Sequence, residues 1–212
     1  MARSSTDEAR RELPRSRRGQ RTRASLIAAA RTVFERDGYL NTRLADISAE
    51  ANCATGSLYT YFSGKEEIFA AVLDDAQDEM LHPHVRAAAH TDDPIAIIEA
   101  SNRAYLVAYR RNAKLMGLLD EVAAIDDDVR QLRRRRTAAF VRRNAASIRD
   151  LQERGLADAE LDPNLTAAAL SWMVSRMAYS VFVLGDHRVS LDDLVAGLTR
   201  IWANALRLTP RD

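Results

Sequence analysis

Between residues 55 and 65 the chain reads TGSLYTYFSGK, a stretch crowded with hydroxyl, phenol and amine groups. Leu58 and Phe62 stand four apart and claim one buried helical stripe. The other groups, Thr55, Gly56, Ser57, Tyr59, Thr60 and Tyr61, are left facing outward. A single α-helix is slim enough to enter a DNA major groove, where such donors and acceptors can meet base edges. Lys65 falls in the first turn of the helix that follows. A helix amino terminus already attracts anions, and a lysine there adds a mobile charge, so a backbone phosphate is its expected partner. A solvated surface lysine is the plainer alternative. Thr42 and Arg43, at the head of the same stretch, complete the candidate DNA-facing set.

Other chemistries find less in the sequence. No glycine-rich phosphate loop follows a strand, and neither a zinc-protease helix nor a nucleophile elbow is present. His82, His84 and His90 lack a partner cysteine or a helical i, i+4 histidine pair, so they read as loop histidines rather than metal ligands. Cys53 is the lone cysteine. It excludes an intrachain disulfide and fits a reducing compartment as a small apolar filler. The expectation is a protein without catalytic residues, metal or cofactor.

A reading face needs a frame. Leu44, Ile47 and Ala51 recur at helical spacing, while Ala45 and Ala49 are small enough for two helices to cross closely. Asn52 stands where a sharp helix-to-helix turn requires left-handed backbone, which Asn tolerates better than most residues. Ahead of this motif, residues 21–37 form a helix with Leu26, Ala30, Val33 and Phe34 on one face, and Gly38 ends it. Behind it, Ser63 and Glu66 make a capping box, with Ser63 capping and Glu66 reaching back, and the helix it opens runs to about Leu81.

The runs GYLNTR from Gly38, ISAEA from Ile47 and TGSLYTYFSGKEEIF from Thr55 resemble the signature of TetR-family (tetracycline-repressor-like) transcriptional regulators. The resemblance covers residues 21–73. Asn52 stands where the family usually has Gly, Cys53 where it has Val, and Ala54 where a Ser commonly caps the recognition helix. A lost cap costs about 1 kcal/mol unless Asn52 or Thr55 replaces it. The resemblance implies a DNA-binding regulator, more often a repressor, with a dimeric carboxy-terminal domain that holds a ligand cavity among helices four to eight.

Charge distribution agrees with a nucleic-acid partner. The chain carries a net +1, yet twelve basic side chains through Lys65 face seven acidic ones, a net of +5, which leaves −4 for the rest. A basic end on an acidic body suits contact with a polyanion. Residues 1–20, rich in Arg, Ser and Pro, read as a basic arm that can lie against phosphates.

From Asp93 onward helix starts are plain. Asp93-Pro94 and Asp162-Pro163 each place a cap before a proline at the first helical position. Asp126 to Asp128 open a long helix to Gly155, and Ser190 to Asp193 open the last one. The run Arg133 to Arg136 on the long helix points all round it and reads as salt-bridged surface. No strand alternation appears. The fold class is all-α, about nine helices: an amino-terminal helix-turn-helix DNA-binding domain (21–68) and a carboxy-terminal helical domain for ligand binding and dimerisation (69–212). A 47% hydrophobic fraction supports a core. No apolar run reaches the roughly 20 residues that span a bilayer, so a cytoplasmic, nucleoid-associated protein is expected, without a membrane partner.

The last two helices are the most apolar. More than one apolar stripe on each invites a second copy, forming a two-fold four-helix bundle. The middle of the domain holds Tyr105, Tyr109, Met116 and Phe140, then Trp172, Met177, Tyr179 and Phe182. These groups can pack a core, or line a cavity for a small hydrophobic or aromatic effector. Arg176, within a turn of Trp172 and Tyr179, is placed to meet an acidic ligand head or to pair with Glu121. A double-stranded operator, a second copy of the chain and such an effector are the expected partners. A DNA-binding protein without small-molecule control is the alternative.

Overall fold

In a computed structural model, residues 16–81 and 92–208 are described. The arm before Ser16, the three histidines between residues 82 and 90, and the carboxy-terminal Thr209-Pro210 lie outside them. Among the described residues nine α-helices and no strands are found, and the chain divides into two compact units, Met1–Asp74 and Asp75–Asp212.

Helix α1 (Arg17–Asn41) starts four residues earlier than the apolar pattern indicates. Ser16 caps it, its Oγ accepting from the Gly19 N–H at 3.1 Å. Arg17, Arg18, Gln20 and Arg21 are all exposed, so this turn carries no apolar stripe from which it could be read. Gly38 (φ 77°, ψ 165°) breaks α1 as expected, and a last turn follows in which Thr42 Oγ1 donates to the Gly38 carbonyl at 2.7 Å. Helix α2 (Leu44–Glu50) buries Ile47 and Ser48. Ala45 and Ala49 face solvent instead of forming the crossing point, because Ser48 takes that face with its hydroxyl satisfied by the Leu44 carbonyl at 2.9 Å. Asn52 does adopt positive φ, 51°.

Helix α3 (Thr55–Tyr61) has Ala54 at its cap position with no side-chain capping bond, so neither Asn52 nor Thr55 replaces the missing serine. Leu58 and Phe62 are fully buried. Helix α4 (Lys65–Leu81) is entered through Ser63, but the acid that reaches back is Glu67 rather than Glu66. Glu67 Oε2 accepts from the Ser63 N–H at 2.6 Å and its hydroxyl at 2.8 Å, while Glu66 accepts from the Tyr39 phenol at 3.4 Å. Phe34, Tyr39 and Phe69 form a ring cluster in the core, with centroids 5.0 Å apart for Phe34 and Phe69 and 4.9 Å for Tyr39 and Phe69. The division between units falls inside α4, later than the 68/69 boundary read from the sequence, since Ile68, Phe69, Val72 and Leu73 are all buried before it.

In the second unit, α5 (Pro94–Arg111), α6 (Ala113–Ile125), α7 (Asp127–Glu153), α8 (Pro163–Tyr179) and α9 (Leu191–Ala205) begin at the expected caps where one was read. Asp93, Asp126, Asp162 and Ser190 each accept an amide of the first turn. Helix α8 continues as a π-helical turn, Ser180–Leu184, before Gly185 turns left-handed at φ 71°. Helix α8 packs on α7 and α9 on α5. Polar pairs fix both: Asn144 Nδ2 donates to Ser171 Oγ at 2.9 Å in a part-buried bond, and Asn102 Nδ2 to Thr199 Oγ1 at 3.1 Å in a buried one. The segment Pro163–Leu184, mean hydropathy 1.4, is long and apolar enough to cross a membrane, contrary to the sequence expectation. Its Ala167, Leu170, Val174 and Ala178 are instead buried within the unit.

Candidate nucleic-acid interface and ligand cavity

Local structure decides which of the candidate DNA-facing groups reach solvent. On α3, Gly56, Ser57, Tyr59 and Thr60 are exposed, and Thr55 and Tyr61 are half-buried. Thr60 Oγ1 leans back on the Gly56 carbonyl at 3.4 Å, a weak contact that a base edge could replace. Arg43 is exposed, and its backbone N–H donates to Asp46 Oδ2 at 3.0 Å. The α3 positions share one short helix, and Arg43 caps the start of α2.

Two of the expected residues take other partners. Thr42 is 3% exposed and its hydroxyl closes the last turn of α1, so its side chain is spent on structure. Lys65 Nζ donates to the carbonyls of Tyr39, Thr42 and Leu40 at 2.8, 3.2 and 3.4 Å. An ammonium has three donors, and all three are used to hold the α1–α2 connection. Without DNA, three carbonyls thus converge on the ammonium at the start of α4, a convergence that no linear pattern announces. Sequence reasoning also passed over Arg23, whose guanidinium sits 5.1 Å over the Phe62 ring. Arg17, Arg18 and Arg21 add exposed positive charge on α1.

The second unit holds a cavity of about 190 Å³ among α5, α6, α7 and α8, with Met80 of α4 on its wall. Tyr105, Tyr109, Met116 and Phe140 line it, as do Trp172, Arg176 and Tyr179. Met177 does not. Phe182 lies off the cavity as well, packing near Tyr109 at 6.5 Å between ring centres.

Charged lining was the part missed. Arg133, Arg136 and Asp120 all face the cavity. Arg133, Arg136, Thr137 and Phe140 form an i, i+3, i+4, i+7 stripe, so the arginine run read as all-round surface does supply one face. Arg133 Nη1 donates to Asp120 Oδ1 at 2.7 Å and ties α7 to α6. Arg176 is exposed and lies 5.1 Å over the Tyr179 ring; among the described residues it makes no ion pair, so pairing with Glu121 does not occur. Burial pushes the phenols of Tyr105 and Tyr109 upward, opposed at Tyr105 by a hydrogen bond with Ser175, and reinforced at Tyr109 by Tyr105, Asp120 and Tyr179. Both therefore stay neutral in ordinary buffers. Among the described residues no three His, Cys, Asp or Glu side chains gather as metal ligands would.

With this geometry in view, the relatives are informative. Residues 26–72 match the family described as bacterial regulatory proteins, tetR family. Residues 98–207, just over half of the chain, match the carboxy-terminal domain of the transcriptional regulator EthR. The chain is 36% identical over 67 residues to the HTH-type transcriptional regulator YfiR of Bacillus subtilis, covering 32% of this chain and 33% of YfiR. It is 35% identical over 60 residues to the HTH-type transcriptional repressor NicS of Pseudomonas putida, covering 28% of each. The chain thus spans about a third or less of these curated relatives. Its fold resembles that of the fatty acid degradation regulator FadR from Bacillus halodurans, with TM-score 0.74, 17% identity, and 89% of this chain and 97% of the other covered. At that identity the likeness concerns the fold alone. An amino-terminal helix-turn-helix joined to this regulator carboxy-terminal domain makes the chain a member of the TetR family of bacterial transcriptional regulators.

Proposed function

We propose that the protein works in the cytoplasm as a homodimeric repressor that binds an inverted-repeat operator and is released by a small effector. The observation that carries this reading is the α3 face: Gly56, Ser57, Tyr59 and Thr60 are exposed on a helix whose other side, Leu58, is fully buried. One such helix meets only a few base pairs, and two copies a helical turn apart double the contact. Arg43 and the exposed arginines of α1 supply phosphate contacts, and Lys65 positions the connection that carries Arg43. Dimerisation is supported by apolar groups left at the surface of α8 and α9, where Leu165 is 71% and Ile201 47% exposed. A second copy would cover them. The relative NicS is named a repressor, which favours repression over activation.

Release follows from a two-state equilibrium. A ligand in the cavity that prefers a conformer unfit for the operator, by about 1–3 kcal/mol, weakens DNA binding roughly 5- to 150-fold. The test is selection of bound fragments from genomic DNA by the purified protein, followed by sedimentation of the complex with the recovered sequence. Inverted repeats bound by an even number of chains are expected. Random recovered sequences, or a single chain on each duplex, would remove the proposal.

A further inference from the structure

Three features of the cavity converge on one class of effector. Its size is small: about 190 Å³ lies below the roughly 300–1,000 Å³ of pockets that enclose drug-sized ligands. Its wall is aromatic and continuous. Phe140 stacks on Tyr105 at 5.5 Å with 29° between planes, and Tyr105 meets Tyr109 at 5.8 Å. A planar ring gains offset or edge contact there beyond simple area burial. Its charge is positive. Among the described residues, Arg133, Arg136 and Arg176 line it with one carboxylate, Asp120, which Arg133 engages at 2.7 Å. Arg176 rests on the Tyr179 ring, and beside Trp172 its guanidinium remains open to an incoming oxygen pair. The guanidinium fork matches a carboxylate with two parallel bonds. Asp120 on the same wall disfavours a doubly charged group.

Resting on the reading of this chain as an effector-controlled regulator, we propose that the cavity receives a compact aromatic carboxylate, its ring against Tyr105 and Phe140 and its carboxylate held by Arg176. The two tyrosine hydroxyls, neutral, offer hydrogen bonds without adding repulsion.

The full chain is titrated by isothermal calorimetry with benzoate, phenylacetate and 2-naphthoate, each beside its carboxamide, and with hexanoate. At least one aromatic carboxylate is expected to bind at one site per chain, about tenfold or more tighter than its amide and than hexanoate. Arg176→Gln should abolish the preference for carboxylate over amide while leaving amide binding in place, and Arg176→Lys should restore part of it. Arg176 is exposed, so these variants should melt with the parent. No binding by any of the three acids, an amide or hexanoate that binds as well, or a preference that survives Arg176→Gln would overturn the inference. Gel shifts on the selected operator separate the two readings. Intact DNA binding with no acid bound defeats only the ligand class, whereas lost DNA binding in the parent defeats the regulator proposal.

Discussion

Lys65 Nζ lies 4.5 Å over the centre of the Tyr39 ring and donates to the carbonyl of that same residue at 2.8 Å. One cation thus holds a side-chain face and a backbone carbonyl of the turn that follows the break at Gly38. With the carbonyls of Leu40 and Thr42 also engaged, the start of α4 is latched to the end of α1. Arg43 and α2 follow directly from that latch.

Lys65→Met keeps the alkyl stem and removes the latch. Charged hydrogen bonds of this kind contribute about 1.5–3 kcal/mol, so melting temperature should fall by several degrees and operator affinity with it. The salt dependence of binding should keep its slope, since no phosphate contact is lost. A slope reduced by about 1 would place the ammonium on DNA.

Tyr59→Phe and Thr60→Ala change exposed atoms on α3 and should leave stability within about 0.5 kcal/mol. Gel shifts on the cognate operator should show weaker binding, with nonspecific duplex affected little. Unchanged operator affinity in both variants would move the reading face elsewhere.

Phe34 is fully buried between Tyr39 and Phe69. Phe34→Ala should cost about 3–5 kcal/mol, a large share of the stability of a small unit. Denaturant titration by circular dichroism would show an early transition, and DNA binding should disappear with it.

Two backbone positions separate torsion from packing. A Cβ added at Gly38 would meet nothing within 4 Å, so Gly38→Ala pays only for φ 77°, ψ 165°, about 1–3 kcal/mol. At Asn52, φ 51°, Gly should be tolerated, while Ala should cost about 1–2 kcal/mol. Thermal melts of the three variants check the order.

Alkaline stability tests the buried phenols. Tyr105 and Tyr109 bind their protons more tightly folded than unfolded, because burial disfavours the phenolate. Their contribution is therefore complete below the ordinary value of 10.0 and declines as pH rises above it, where the unfolded chain loses protons that the folded chain keeps. Tyr105→Phe should flatten this decline in urea midpoints measured from pH 8 to 11. An unchanged slope would mean that the phenol is already accessible to water.

The sequence alone carried the all-α class, the break at Gly38, the left-handed Asn52 and the helix starts at Asp93, Asp126, Asp162 and Ser190. Those features depend on a residue and its neighbours within one turn, where a carboxylate or hydroxyl meets a free amide or a backbone angle excludes a side chain. It also named seven side chains that line the cavity, along with Met177 and Phe182, which do not, because large groups at helical spacing must face something. Tertiary structure decided the remainder. Which donors Lys65 uses, that Thr42 is buried, and that Arg133 and Arg136 turn inward toward Asp120 and the ring wall all follow from which face a distant helix covers. Local spacing names the candidates for such a face, but only the packing of α6, α7 and α8 selects among them.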